Sequence, residues 1–111
     1  MKYSRVHLSA LGYELPPVVV TSDELEQRLA PLYDKLHMAP GQLEALTGIA
    51  ERRWWEEGYG LSEGAAAAAR KAIEKTSIRP QDIEAVVYAG VCRENFEPAT
   101  ACAVAGALGV S

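Results

Sequence analysis

Residues 83–91 read Ile83-Glu84-Ala85-Val86-Val87-Tyr88-Ala89-Gly90-Val91. From Ala85 onward the run is almost continuously apolar. It is too short for a helix of ordinary length and rich in β-branched residues. Such a run predicts a strand covered on both faces, as in a parallel sheet between helices. What flanks it supports that reading. Arg79-Pro80-Gln81-Asp82 forms a turn into it. Thr100-Ala101-Cys102-Ala103-Val104-Ala105-Gly106-Ala107-Leu108 follows as a helix of small residues, with Gly109 as its stop.

Further out the pattern repeats in kind. Ala65 to Ile73, preceded by Leu61-Ser62-Glu63-Gly64, predicts a second alanine-faced helix that neighbours can approach closely. Tyr3, Arg5, His7 and Ser9 alternate with Val6, Leu8 and Ala10, which predicts a strand over 3–10. Gly12 and Pro16-Pro17 break it, and Val18-Val19-Val20 resumes it. Thr21 or Ser22 caps a helix, with Glu24 or Leu25 in its first turn. Leu25, Leu29, Leu32, Tyr33 and Leu36 recur along it at helical spacing, and Pro31 predicts a bend. Gln42 to Leu46 reads as a short helical turn ending at Gly48. The carboxylates Glu24, Glu26 and Glu44 read as members of solvated helix faces. Strand, helix, helix, strand, helix is an α/β order. A parallel sheet normally has more strands than this, so the fold reads as unfinished.

The totals bound the function. A chain of 111 residues, about half of them apolar, suffices for one domain with a core. A net charge of -4 argues against nucleic acid as the main partner. No run of 18 apolar residues exists to span a membrane, and the N-terminus has no signal-peptide core, so the cytoplasm is the expected location. The two cysteines, Cys92 and Cys102, form neither a disulfide framework nor a metal-binding pair. Both read as reduced, small core residues. His7 and His37 are isolated, and no metal site is expected.

Two clusters are candidates for chemistry. Val91-Cys92-Arg93-Glu94-Asn95-Phe96-Glu97-Pro98-Ala99-Thr100 follows the carboxyl end of the buried strand, where α/β sheets bind ligands. Glu97 sits there beside Phe96 and Pro98. A carboxylate in apolar surroundings has its charged form disfavoured, which suits a general base near neutral pH. The plainer reading is a solvated loop carboxylate or a partner of the following helix N-terminus. The second cluster is Thr47-Gly48-Ile49-Ala50-Glu51-Arg52-Arg53-Trp54-Trp55. Arg52 and Arg53 suit an anionic phosphate, and the tryptophans suit stacking on a base or lining an apolar tunnel. The plainer reading pairs the arginines with Glu51, Glu56 or Glu57 and lays the tryptophans over a core edge.

In order along the chain, Thr47-Gly48-Ile49 with Glu51-Arg52, Ala65 to Ile73, Ile83 to Val91, and Pro98-Ala99-Thr100-Ala101-Cys102 running to Leu108-Gly109-Val110 resemble β-ketoacyl-acyl-carrier-protein synthase III of the thiolase superfamily. The resemblance covers nearly the whole chain. It implies that residues 1–111 form the N-terminal part of the layered αβαβα thiolase-like fold. Departures narrow the branch. Gln42 and Leu46 stand where fatty-acid-initiating synthases have a Trp and an Arg that help hold coenzyme A. Glu97 stands where they have an apolar residue. A glutamate in a Phe-Glu-Pro-Ala-Thr setting is similar to the OleA branch, whose members condense two acyl-CoA molecules. Leu32-Tyr33-Asp34-Lys35-Leu36 and Arg52-Arg53-Trp54-Trp55 also look like that branch.

The resemblance implies an acyltransferase performing a non-decarboxylative Claisen condensation. Glu97 would be its base, and Phe96, Arg52, Arg53 and Trp54 would contact substrate. Acyl-CoA or an acyl-carrier protein would be the partner, with no cofactor, in a dimer of the complete enzyme. The cysteine nucleophile, histidine and asparagine of that scheme would lie beyond Ser111. The chain alone is then expected to lack condensing activity, and the remainder of the enzyme is a partner, possible as a separate chain. A synthase III or 3-hydroxy-3-methylglutaryl-CoA synthase with other acyl substrates is a second reading. A non-catalytic subunit completing a partner's sheet is a third. The apolar helix and strand, left bare, are expected to make the isolated chain associate.

Overall fold

A computed structural model describes residues 4–110. In chain order the elements are β1 (Val18–Thr21), α1 (Ser22–Arg28), α2 (Ala30–Leu36), α3 (Gln42–Thr47), β2 (Glu51–Trp54), α4 (Leu61–Ile73), a 3-10 turn (Pro80–Asp82) and α5 (Thr100–Leu108). They group into two compact units, one of residues 15–57 and one of residues 1–14 with 58–111.

In the 15–57 unit, β1 and β2 pair antiparallel, with Val18 opposite Trp54 and Thr21 opposite Glu51. Thr21 caps α1 as expected. Its hydroxyl accepts the Glu24 N–H at 3.1 Å, and the Glu24 carboxylate accepts the Thr21 N–H at 3.0 Å. Pro31 falls in the first turn of α2, so the helical pattern breaks at Leu29 and the sequence makes two helices of it. The turn before Gly48 is α3, and Gly48 closes it in the left-handed conformation at φ 67°.

Glu26 corrects the sequence reading. It is buried, not on a solvated face. Its carboxylate accepts the Tyr33 hydroxyl at 3.0 Å, the Gly41 N–H at 2.6 Å and the Leu43 N–H at 2.7 Å. A six-residue helix whose N-terminal N–H groups lack intrahelical partners needs such an acceptor, and α1 supplies it across the chain. The Gly41 bond, then the Leu43 bond, hold the Glu26 carboxyl below the ordinary range, outweighing the upward push of burial; Tyr33 adds to them. Burial and then Glu26 push the Tyr33 hydroxyl up. Because the folded-state value for Glu26 lies below its ordinary 4.5, the stability it contributes is present above that pH and is lost as pH falls through the folded value. Trp54 and Trp55 both belong to this unit, so their fluorescence follows its unfolding. We expect Glu26→Ala to lower the melting midpoint by roughly 4–8 °C, and Glu26→Gln to flatten the loss of stability as pH falls below the ordinary carboxylate value of 4.5. An unchanged acid limb in Glu26→Gln would assign that loss elsewhere.

The other unit is built on α4. The alanine helix is approached closely, as its sequence implies. Gly12 lies so near that a Cβ built on it would press on the Ala68 carbonyl oxygen and stand 2.5 Å from the Ala72 nitrogen. The segment is tied to α4 by the Glu14–Lys71 ion pair at 2.6 Å and by the Lys75 ammonium donating to the Leu11 carbonyl at 2.9 Å. Arg70 donates to the Ala107 carbonyl at 2.8 Å, joining α4 to α5. Ala66, Thr100 and Val104 are buried, and Gly109 ends α5 at φ 71°.

Two strand expectations fail here. The described residues of 3–10 and the whole of 83–91 belong to no strand, whereas Tyr3 lies outside the described residues. A strand exists through its ladder bonds, and among the described residues neither run has a neighbour in bonding position. Their apolar side chains stay out: Val6, Leu8, Val87 and Val91 are all exposed. The cysteines are likewise exposed rather than in a core. Thr100 and Val104 direct one face of α5 inward, and Cys102, two residues from each, falls on the other face. Helices with a small sheet remain consistent with an αβ portion of the thiolase-like fold. We expect the isolated 111-residue chain to sediment as associated species, because these apolar runs lie open. A monodisperse monomer would contradict this.

Candidate active site

The loop from Val91 to Ala99 joins the 83–91 run to α5 and contains no regular element. It is nevertheless fixed at Glu94. The Glu94 N–H donates to the Thr100 hydroxyl at 3.2 Å, and the Glu94 carboxylate accepts the Ser62 N–H at 2.7 Å. Ser62 is the second residue of α4, whose N–H has no partner within the helix. Gly60 leaves room for this carboxylate: a Cβ there would stand 2.8 Å from Glu94 Oε1. The Ser62 hydroxyl and N–H hold the Glu94 carboxyl below the ordinary carboxylate range. Glu94 and Thr100 were not singled out from the sequence. The available signal was Thr100 at the start of a helix with a carboxylate six residues earlier, and nothing in one dimension joins Glu94 to Ser62.

Beside this anchored loop lies an open cleft of about 280 Å³, lined among others by Tyr88, Arg93, Asn95, Phe96, Glu97 and Thr100. Glu97 and Phe96 are thus brought together on one cleft. The Glu97–Pro98 peptide bond is cis. Both side chains are exposed, Phe96 at 89%. The apolar enclosure expected around Glu97 is therefore not built by the described residues: residues 91–99 are all exposed, and Thr100 is the first buried one. Among the described residues the Glu97 carboxylate has no hydrogen-bond or ion-pair partner. An exposed carboxylate with open valences can accept a proton from a ligand in the cleft.

The second cluster lies in the 15–57 unit, on β2. Consecutive residues of a strand point to opposite faces. Arg52 lies opposite the buried Val20, and Arg53 opposite Val19. Arg52 turns inward. Its Nη2 reaches the Ser22 hydroxyl at 3.4 Å, and its Nη1 is buried without a partner among the described residues. Arg53 is exposed, and its Nη1 reaches the Pro16 carbonyl at 3.4 Å. So the arginines meet neither one anion nor Glu51, Glu56 or Glu57. Trp54 is partly exposed, with the Arg28 guanidinium 5.3 Å from its ring centre. Missed from sequence was β2 itself: Glu51-Arg52-Arg53-Trp54 has no apolar alternation, and its pairing with β1 is a tertiary fact. The described residues hold no group of three or more potential metal ligands, and no helix is long and apolar enough to cross a membrane.

No protein-family model matches the sequence. The chain is 63% identical over all 111 residues to the acyl-CoA:acyl-CoA alkyltransferase of Shewanella oneidensis, and spans 32% of that protein. A crystal structure of a glutamate-to-aspartate variant of Xanthomonas campestris OleA superposes with a TM-score of 0.82 at 36% identity, covering 93% of this chain and 32% of that one. The 3-oxoacyl-(acyl carrier protein) synthase III of Xanthomonas oryzae pv. oryzae does so with a TM-score of 0.84 at 37% identity, covering 93% of this chain and 30% of that one. The chain therefore spans about a third of the length of the relatives it matches. By sequence and by fold the chain matches the N-terminal third of β-ketoacyl synthase III-like proteins of the thiolase superfamily, OleA among them.

Proposed function

We propose that this chain is part of an acyltransferase that condenses two acyl-CoA thioesters without decarboxylation. The observation that carries the reading is its 63% identity, along its full length, to an acyl-CoA:acyl-CoA alkyltransferase. The loop geometry supports it, since the Glu97 carboxylate, without a partner among the described residues, lines an open cleft.

In this reading a cysteine outside residues 1–111 takes an acyl group from the first thioester. The Glu97 carboxylate takes a proton from the α-carbon of the second acyl-CoA. The resulting carbanion attacks the acyl-enzyme carbonyl. A carbon–carbon bond forms, the carbon–sulfur bond to the enzyme breaks, and the thiolate is regenerated. Phe96 lies against the acyl chain at the cleft, and the exposed Arg53 and Trp54 serve the coenzyme A portion, whereas the inward-turned Arg52 keeps a structural place on β2. Residues 1–111 act as part of one condensing domain, with the remainder of the enzyme as partner, in a cytoplasmic dimer. Coenzyme A enters as substrate carrier, with no further cofactor.

The superposition on a 3-oxoacyl-(acyl carrier protein) synthase III supports a second reading, in which one acyl group arrives on a carrier protein. The two separate in one assay of the complete enzyme. Given a radiolabelled long-chain acyl-CoA alone, it should form a β-keto thioester with one coenzyme A freed per bond made and no carbon dioxide. A requirement for a malonyl carrier protein, with carbon dioxide released, would select the second reading.

A further inference from the structure

We propose that Glu94 is the positioning residue of the Glu97 loop. Its carboxylate fastens the loop to the first turn of α4, and its N–H fastens it to the first residue of α5. The inference rests on the reading of Glu97 as base, and adds a division of labour between two glutamates three residues apart.

The observations differ for the two side chains. Glu94 Oε2 accepts the Ser62 N–H at 2.7 Å. A carboxylate there also faces the positive end of the α4 dipole. Its acceptor capacity is directed at the protein, which suits an anchor and not a proton acceptor for a ligand. The Glu94 N–H meets the hydroxyl of Thr100, a residue only 4% exposed and so a fixed point. Glu97 has no such tie among the described residues, so its place on the cleft depends on the backbone that carries it. An irregular segment is held by the few bonds that tie it to neighbouring elements, since it has no ladder or helix of its own. Both of these bonds belong to Glu94. Room for the carboxylate is itself built in, because Gly60 has no side chain to meet Glu94 Oε1.

Proton transfer is steep in distance, and a misplacement of about 1 Å costs on the order of 100-fold. Cutting the anchor should therefore slow the step that Glu97 performs and spare the step it does not. The test uses the complete enzyme and measures acyl-enzyme formation and condensation separately. Glu94→Ala should lower the condensation rate by about 10- to 100-fold with acyl-enzyme formation near the parent rate. Glu94→Gln keeps a carbonyl oxygen for the Ser62 N–H and should restore most of the loss. Thr100→Val keeps the shape and removes the other acceptor, and should show the same split even if Glu94→Ala does not fold. Parent-rate condensation in Thr100→Val or in Glu94→Ala overturns the proposal. So does an equal fall of both half-reactions, or a Gln variant no better than Ala. The base assignment fails separately, through Glu97→Gln: if that variant condenses at the parent rate the base reading is lost, and if it stalls while Glu94→Ala does not, only the positioning role is lost.

Discussion

Glu97→Gln in the complete enzyme is expected to slow condensation by about two to four orders of magnitude, the range of a general base, while acyl transfer onto the enzyme's cysteine proceeds. Glutamine keeps the shape of the side chain and removes its basicity. The first half-reaction requires no removal of an α-proton, so the acyl-enzyme should form and accumulate. Mass spectrometry of the intact enzyme after mixing with acyl-CoA reads the accumulation directly. Glu97 is exposed on its loop and has no internal partner among the described residues, so the substitution breaks no contact within the described chain. Lost activity then reports on chemistry. Condensation at the parent rate would return Glu97 to an ordinary loop residue, and a failure of the acyl-enzyme itself would assign it a role in folding or binding.

The second large effect concerns stability. Gly12→Ala is expected to destabilise the chain by about 3 kcal/mol or more, because the added methyl overlaps backbone and not a flexible side-chain tip. The groups it meets are the Ala68 carbonyl and the Ala72 nitrogen, both within α4. Neither can move without disturbing the helix. The segment must back away, which weakens the nearby Lys75 bond to Leu11 and the Glu14–Lys71 pair. Gly106→Ala is the control. It lies in α5 with nothing within 4 Å of an added Cβ. There alanine should stabilise by roughly 0.5–1 kcal/mol through its helix propensity. Denaturant unfolding followed by circular dichroism compares the two. Equal effects from both substitutions would mean that the close approach at Gly12 is not a feature of the folded chain.

Local signals in the sequence determined the helices and their ends. Thr21 with Glu24, Pro31, Gly48 and Gly109 each act through the backbone of their own turn, so their effect is readable from neighbours a few residues away. Glu97 was a candidate because it stands in a loop between an apolar run and a small-residue helix, but that pattern left a plain solvated carboxylate open, and the expectation of a base came from the family resemblance. What the sequence predicted as strands over 3–10 and 83–91 was a hydrophobic pattern, and pattern supplies only the willingness to pair. Pairing requires a second strand at bonding distance, which the described residues do not provide for those runs and do provide for Val18–Thr21 with Glu51–Trp54. The same distinction governs the carboxylates. Glu26 read as a solvated helix-face charge and Glu94 was not singled out, because their partners are 15 and 32 residues away. Only the folded chain brings the open N–H groups of α3 and α4 to them, and these two helix N-termini take up Glu26 and Glu94 while Glu97 has no such tie among the described residues.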